Sequence, residues 1–295
     1  MDEEVYRKYK KAGWVAAEAL KYGIKQIKEG VSYLEVTEVV EKRIKNLGAG
    51  LAFPVNIAVN EVAAHFTPRH NDGHLFQKGD VVKLDVGAHV DGYIADAAAT
   101  TEVESDRYSD LIQVSRDALA NVIDAIKPNV KLQEIGKIVS ETITAKGLKP
   151  IDNLSGHRMR RYLLHAGTSI PNIPGSSHGV LKKDEVVAIE PFASTGAGHV
   201  ISGDTSNIYR YIHIPFVRDL RIRILAKKIK NRFNTLPFAE RWCTSFIPDI
   251  ENNLRRMVKA KCLYSYPQLV DAHRGIVSQH EHTIIVTNDG CEVIT

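Results

Sequence analysis

The segment VVKLDVGAHVDGYIADAAATTEV, residues 81–103, consists of two β-rich runs separated by Asp91-Gly92. An Asp-Gly pair between two such runs is a strong signal for a two-residue turn. The segment therefore predicts a β-hairpin in which Val90 pairs with Tyr93.

The two aspartates of this hairpin are predicted to lie side by side. Counted outward from the turn, Asp85 is opposite Ala98, and Asp96 is two residues from Ala98, so both carboxylates share one face, about 7–8 Å apart between Cα atoms. Two buried carboxylates repel each other unless they share a proton or bind a divalent cation. The apolar strands favour burial and hence the metal, whereas a longer turn or a bulge would expose one aspartate. The hairpin alone leaves both interpretations open.

The chain also contains an internal duplication. A shift of 99 positions aligns IKQIKEGVSYLEVTEVVEKRIKNLG (24–48) with IDAIKPNVKLQEIGKIVSETITAKG (123–147), and a shift of 105 aligns LFQKGDVVKLD (75–85) with VLKKDEVVAIE (180–190). The longer repeat predicts a helix end, a turn and an amphipathic helix closed by glycine. The shorter one predicts a strand ending in a carboxylate, although short strands can match by chance. We therefore predict two related halves. The carboxylates of Asp85 and Glu190, one from each half, are expected to face each other across a shared axis.

The composition is that of an ordinary globular protein. The 295 residues include 39 basic and 35 acidic residues, for a formal charge of +4, and 44% are hydrophobic. No apolar run approaches the ~18 residues of a membrane span, and MDEEVYRKYK (1–10) is unlike a signal peptide. The odd, dispersed cysteines, Cys243, Cys262 and Cys291, suggest neither a disulfide framework nor a cysteine metal site. We expect a cytoplasmic protein with no membrane association.

A basic stretch interrupts the second half. From about residue 199 to 264 the sequence becomes helix-rich, with RDLRIRILAKKIKNRF at 218–233 and only Asp219 acidic between residues 210 and 232. We interpret the stretch as an inserted helical subdomain with a solvated basic face. The alternative is a surface that contacts RNA, such as ribosomal RNA.

A further carboxylate lies in SQHEHTIIVT (278–287). If this segment is a continuous final strand, Glu281 points to one face and both His280 and His282 to the other. The three residues then cannot form one chelate, so we interpret Glu281 as a ligand and the two histidines as structural.

Acidic residues and one imidazole make up the resulting ligand set. Besides the two hairpin aspartates and Glu281, the candidates are Glu190 and one of His157 and His165 in NLSGHRMRRYLLHAG (153–167). Such an oxygen-rich set suits one or two ions of manganese, iron, cobalt or zinc better than a closed structural zinc site.

Five ordered segments carry a family resemblance. They are AFPVNIAVNEVAAHFTP (52–68), KLDVGAHVDGYIAD (83–96), NLSGHRMRRYLLHAG (153–167), AIEPFASTGAG (188–198) and QHEHTIIV (279–286). Together they resemble type II methionine aminopeptidases in their short archaeal form, over nearly the whole chain. The resemblance implies an α+β pita-bread (creatinase/aminopeptidase-like) fold. It further implies a single catalytic domain, 1–295, with two pseudo-symmetric halves and the helical insertion that marks type II. Nothing in the sequence demands more than a monomer.

The resemblance also implies a catalytic site. Its dinuclear metal centre would consist of Asp85, Asp96, His157, Glu190 and Glu281. Two divalent ions (cobalt, manganese, iron or zinc) would lower the pKa of a bridging water, and the hydroxide would attack the first peptide carbonyl. Glu190 would be the general base, His165 would steady the tetrahedral intermediate, and His65 would lie near the scissile nitrogen.

The implied substrates are N-terminal methionine peptides and nascent chains with a small second residue. Phe53, Leu164 and Tyr266 would form the methionine pocket together with His65 and His165. The sequence departs from the family pattern at Leu164, Phe66 and His280, changes that we expect to be conservative or outward-facing. A family histidine has no match near Ile208. Two alternatives stay open: a prolidase-like Xaa-Pro peptidase, and a non-catalytic RNA-binding protein of the same fold.

Overall fold

A computed structural model describes residues 1–175, 177–213 and 219–295. Its helices are α1 (Glu3–Ile24), α2 (Tyr33–Asn46), α3 (Ser109–Ala125), α4 (Leu132–Thr144), α5 (Leu220–Phe233) and α6 (Ile250–Lys259), with a 3₁₀ helix at Glu240–Cys243. Its strands are β1 (Gly50–Leu51), β2 (Asn56–Val59), β3 (Val62–Ala64), β4 (Val81–Val90), β5 (Tyr93–Glu102), β6 (Lys149–Pro150), β7 (Ser155–Arg158), β8 (Ser169–Pro171), β9 (Val186–Ile189), β10 (Phe192–Ser194), β11 (Val200–Tyr211), β12 (Phe238–Ala239), β13 (Leu263–Asp271), β14 (Val277–Gln279), β15 (His282–Val286) and β16 (Cys291–Val293). Among the described residues, no helix is long and apolar enough to cross a bilayer.

The predicted hairpin is present as β4 and β5. The two strands pair along their full length, with Asp85 opposite Ala98, which confirms the predicted register. Asp91 and Gly92 have φ angles of 51° and 86°. Two consecutive positive φ angles are what a type I′ turn requires, so the Asp-Gly pair fixes the register from which the aspartate positions follow.

The duplication is confirmed by two equivalent bridges. Ser32 pairs with Leu75 in the first half, and Lys131 pairs with Val180 in the second. These pairs are related by the same shifts of 99 and 105 positions that align the sequence repeats. In each half, the turn between the two helices therefore pairs with the segment that precedes a strand. The elements are α1, α2 and β4 in the first half and α3, α4 and β9 in the second.

One hydrophobic core lies beneath each of the two pairs of helices. Helices α1 and α2 pack on the sheet of order β1–β4–β2, in which β5 also pairs with β4. Helices α3 and α4 cover the sheet of order β16–β15–β9–β7–β8. Gly48 and Gly147, just beyond α2 and α4, have φ angles of 82° and 72°, the left-handed conformation that helix C-termini favour. The fold is thus α+β, with two similar helix-on-sheet halves.

The basic stretch begins as a strand rather than as a helix. Residues 200–211 form β11, which pairs antiparallel with β13 at residues 263–271. Helices α5 and α6 lie between these strands in the sequence and share a hydrophobic core with the 3₁₀ helix. The helical part therefore starts at Leu220 instead of near His199, because the first residues of the stretch are held in the β11–β13 pair. Arg218 lies outside the described residues.

Candidate metal centre and its cavity

A cavity of about 220 Å³ opens where the two halves meet. The residues predicted for the site all line it: Phe53, His65, Asp85, Asp96, His157, Leu164, His165, Glu190, Tyr266 and Glu281. Residues from separate strands and loops along most of the chain are therefore brought to one place.

Both halves supply candidate ligands to this cavity. Asp85 and Asp96 project from β4 and β5 of the first half. His157 lies on β7, and Glu190 follows the last residue of β9, both in the second half. Asp85 and Glu190, which hold equivalent positions in the two repeats, therefore line the same cavity, as the duplication predicts. Glu190 follows the end of β9, but Asp85 lies in the middle of β4, so the prediction of a strand that ends in a carboxylate is wrong for the first half.

Glu281 reaches the cavity from a break between two strands, so the prediction of a continuous final strand is wrong. Strand β14 ends at Gln279 and pairs with β10, whereas β15 begins at His282 and pairs with β9 in a different sheet. Glu281 lies where the chain passes from one sheet to the other, and its backbone bridges to Ala98.

The two neighbouring histidines point away from the candidate ligands. His280 Nδ1 is 2.9 Å from Ser115 Oγ on α3, and His282 Nδ1 is 2.9 Å from Thr295 Oγ1. Their structural interpretation is supported by these bonds. His280 is only 6% exposed, however, so the expectation that it faces outward is wrong: it is buried beneath α3.

The candidate ligand atoms are close enough to share a cation. His157 Nε2 lies 3.5 Å from Asp96 Oδ2 and 3.7 Å from Glu190 Oε1. One ligand atom from each of Asp96, His157 and Glu281 lies within 4.8 Å of the others. These distances are longer than direct hydrogen bonds, which leaves room for an ion between the groups.

Burial and mutual repulsion disfavour the charged forms of these groups. Burial, and after it the Asp96 carboxylate, raises the pKa of Asp85. Burial and the neighbouring carboxylates also raise the pKa of Glu190 and Glu281. Burial lowers the pKa of His157 to about 4. A positive ion would reverse this balance because it stabilises the ionised carboxylates.

The residues fit a divalent cation. Among the described residues, no hydrogen-bond donor reaches the buried atoms Asp85 Oδ1, Asp96 Oδ1 and Glu281 Oε1. Buried carboxylate oxygens normally find a donor or a metal. Several oxygens with one imidazole nitrogen suit manganese, iron, cobalt or zinc.

Gln279 also lines the cavity, although no sequence motif predicted it as a site residue. Its Nε2 donates to Glu190 Oε2 at 3.3 Å and to Glu281 Oε2 at 3.2 Å, and the residue is 2% exposed. The amide therefore separates two carboxylates that would otherwise repel each other. Its position two residues before Glu281, on the same side of an extended chain, was a signal that could have identified it.

His65 occupies a left-handed backbone conformation, with a φ angle of 62°. Its ring packs edge-on against Tyr266, with 5.3 Å between centroids. Burial, and then the neighbouring His165, lowers the pKa of His65 to about 4. The imidazole is therefore neutral near pH 7 and can donate a hydrogen bond through one ring nitrogen.

The loop that follows His65 is fixed by a buried ion pair. Arg241, from the 3₁₀ helix, donates to Thr67 Oγ1 at 2.8 Å and to the Pro68 carbonyl at 3.0 Å. Its guanidinium also bonds to the carboxylate of Glu41 on α2. The segment between β11 and β13 thus helps to position the loop carrying His65.

An apolar wall lies beside the candidate ligands. Phe53, Leu164, Ile208, Pro237 and Tyr266 contribute to it. Ile208, near which the family histidine has no match, makes this part of the wall apolar.

Phe53 lies so close to β4 that no side chain fits between them. A Cβ atom at Gly87 would be 2.1 Å from Phe53 Cε1. A glycine at this position therefore allows the ring to lie against the strand beside Asp85 and Asp96.

Residues 7–288 match metallopeptidase family M24. The methionine aminopeptidase of Methanocaldococcus jannaschii is 46% identical over 100% of both chains. The crystal structure of a Thermotoga maritima methionine aminopeptidase is 26% identical, with a TM-score of 0.73 and coverage of 100% of this chain and 98% of that one. A Pyrococcus furiosus prolidase is more distant, at 19% identity and a TM-score of 0.65, and only 64% of its chain is covered.

Proposed function

The chain belongs to metallopeptidase family M24 as a metal-dependent aminopeptidase, and we propose that it removes N-terminal methionine from proteins whose second residue is small. The full-length identity of 46% to a methionine aminopeptidase carries this proposal. The prolidase alternative is weaker because the matched prolidase is much longer and far less similar. Nascent chains in the cytoplasm are the proposed substrates.

We propose that the oxygen-rich ligand set holds two divalent cations. Its members are Asp85, Asp96, His157, Glu190 and Glu281. Bound cations supply a water of lowered pKa and polarise the substrate carbonyl. The unpaired buried oxygens described above support this assignment.

Glu190 is the proposed general base. It lines the cavity, and Gln279 bonds its Oε2, which leaves Oε1 facing His157 at 3.7 Å. From there Glu190 can take a proton from the attacking water and return it to the departing amine. His65 and His165 are the proposed donors to the scissile nitrogen and to the developing oxyanion. Because burial lowers the pKa of His65 to about 4, this imidazole donates in its neutral form.

The apolar wall is the proposed methionine pocket. Phe53, Leu164 and Tyr266 offer two aromatic rings and an aliphatic side chain to a flexible thioether. Sulfur–aromatic contacts favour methionine over a plain alkyl chain by only ~0.3–1.5 kcal/mol. Shape and apolar burial therefore account for most of the proposed selectivity.

The exposed basic face of α5 is a proposed contact with ribosomal RNA. It consists of Arg221, Arg223, Lys227, Lys228, Lys230 and Arg232, all of which are solvent-exposed. Replacing Lys227 and Lys228 with glutamine should weaken binding to ribosomal RNA and flatten its salt dependence, because phosphate contacts release counterions. Equal RNA affinity of the variant and the wild type would contradict this contact.

The activity is tested with protein stripped of metal and reloaded with one divalent cation at a time. We expect hydrolysis of Met-Ala-Ser and near-complete loss of turnover in Glu190→Gln. Glu134→Gln, on the exposed surface of α4, serves as the control. Exclusive cleavage of Xaa-Pro dipeptides, or a wild-type rate in Glu190→Gln, would overturn the assignment.

A further inference from the structure

Strand β5 and residues 279–283 run antiparallel across the junction between the two halves. At the centre of this seam, the Glu281 amide donates to the Ala98 carbonyl at 2.9 Å, and the Ala98 amide donates to the Glu281 carbonyl at 3.4 Å. In a regular ladder, the next pairs of this kind would lie two residues away on either side. At both of those positions, one of the two segments uses a threonine hydroxyl in place of its backbone amide and carbonyl groups.

Thr283 makes the first of these contacts. Its Oγ1 accepts a hydrogen bond from the Asp96 amide at 2.7 Å and donates to the Asp96 carbonyl at 2.8 Å. The side chain therefore satisfies both backbone groups of a residue in the other half. Thr283 is 0% exposed and Asp96 is 4% exposed, so no solvent can take over this role.

Thr100 makes the equivalent contact from the opposite side. Its Oγ1 accepts from the Gln279 amide at 2.8 Å and donates to the Gln279 carbonyl at 2.7 Å. The two hydroxyls lie symmetrically about the Ala98–Glu281 pair, one contributed by each half. The seam is thus closed by one backbone pair and two hydroxyl contacts.

Each hydroxyl holds a backbone position from which a cavity group projects. The Asp96 carboxylate lies 3.5 Å from His157 Nε2. The Gln279 amide bonds to both Glu190 and Glu281. A shift of either backbone would therefore move groups contributed by both halves.

We propose that Thr100 and Thr283 are positioning residues that set the spacing of the cation ligands across the seam. The inference rests on the proposed function, because it assumes that the carboxylates of Asp96, Glu190 and Glu281 bind a divalent cation. A hydroxyl is suited to the position because its one oxygen both donates and accepts a hydrogen bond. A second backbone would need an amide and a carbonyl group to make the same two bonds. Valine has nearly the same shape but can do neither, and serine retains the hydroxyl.

The test measures Mn²⁺ affinity by calorimetry on metal-stripped protein. We expect Thr100→Val and Thr283→Val to bind Mn²⁺ about 10–100-fold more weakly, as removal of groups that orient metal ligands usually does. Thr100→Ser and Thr283→Ser should stay close to wild type. Thr101→Val is the matched control because Thr101 is the next residue of β5 and its side chain points to the opposite face.

Electron paramagnetic resonance of bound Mn²⁺ separates positioning from general stability. A merely structural role would lower the melting temperature of the valine variants without altering the Mn²⁺ spectrum or affinity, and that outcome would overturn the proposal. An altered spectrum restored by serine would support it. If the valine variants do not fold, hydrogen exchange in the wild-type protein decides. The Asp96 and Gln279 amides should be protected in the metal-free state and slow further with Mn²⁺, and rapid exchange at these amides would refute the proposal.

The measurement also separates this inference from the proposed activity. Wild-type protein that binds Mn²⁺ but leaves methionyl peptides intact would contradict the proposed function alone. Equal Mn²⁺ affinity in wild type and both valine variants would contradict the role of the threonines alone.

Discussion

Replacing Glu41 with leucine is expected to destabilise the protein strongly. The carboxylate of Glu41 bonds to the Arg241 guanidinium and accepts a hydrogen bond from Trp242 Nε1 at 2.8 Å. Glu41 is 5% exposed and Arg241 is 7% exposed, so water cannot replace the lost partner. The substitution would leave a buried positive charge without its counterion.

The size of the effect follows from this burial. Removing one partner of a buried ion pair costs about 3–5 kcal/mol because the other charge stays desolvated. For 295 residues, an unfolding entropy of about 2.1 cal/mol/K per residue amounts to ~0.6 kcal/mol/K. The melting temperature should therefore fall by about 5–8 °C.

Scanning calorimetry on the metal-free protein checks the value. The double variant Glu41→Leu/Arg241→Met should recover part of the loss, because it removes the unpaired buried charge, although Thr67 and Pro68 also lose their bonds to Arg241. Glu141→Leu is the control, since its partner Lys137 is 3.7 Å away and both side chains are exposed. A Glu41→Leu melting temperature equal to that of Glu141→Leu would show that the buried ion pair does not stabilise the fold.

Three further perturbations test other parts of the molecule. Gly87→Ala should raise the KM for methionyl peptides, because its Cβ would lie 2.1 Å from the Phe53 ring. Gly73→Ala should leave the KM unchanged, because a Cβ there would have no atom within 4 Å. A wild-type KM for Gly87→Ala in steady-state kinetics would contradict this prediction. Burial raises the pKa of Asp271, but hydrogen bonds from backbone amides and a serine hydroxyl outweigh it and bring the pKa below its usual 3.8. The ionised carboxylate therefore stabilises the fold above pH 3.8, and this contribution disappears as the pH falls through the folded pKa. Asp271→Asn should therefore lower the melting temperature near pH 7 but have little effect in strong acid. Mn²⁺ at about 100 times its Kd should stabilise the protein by about 2.7 kcal/mol, or about 4 °C, and Asp96→Ala should remove that shift in the same scan.

Local sequence rules were sufficient for the hairpin and for the duplication. Asp91-Gly92 specifies a turn with two positive φ angles, and strand alternation then places Asp85 and Asp96 without any tertiary information. The repeats carry helix-closing glycines at a shift of 99 positions and matching carboxylates at a shift of 105, so the two halves could be predicted from sequence comparison alone. The grouping of the remaining site residues depended on family resemblance, because no local rule relates His157 to Glu281.

Sequence rules failed where contacts span large separations or where a strand changes sheets. Alternation assumes a continuous strand, but the chain leaves one sheet at Gln279 and enters another at His282. His280 is buried because α3 covers it, a packing contact that neighbouring residues do not predict. The bond between Arg241 and Thr67 joins residues 174 positions apart, so no local pattern could indicate it.

The hydrogen bonds between Thr283 and Asp96 join residues 187 positions apart. Such a distant pair forms only after the chain between them has collapsed, since loop closure must precede the contact that rewards it. The β4–β5 hairpin can form early and locally, but the cavity it borders is complete only after β15 has docked. Capture of a metal ion would thus mark the end of the folding reaction, and its time course in refolding experiments would report when the two halves meet.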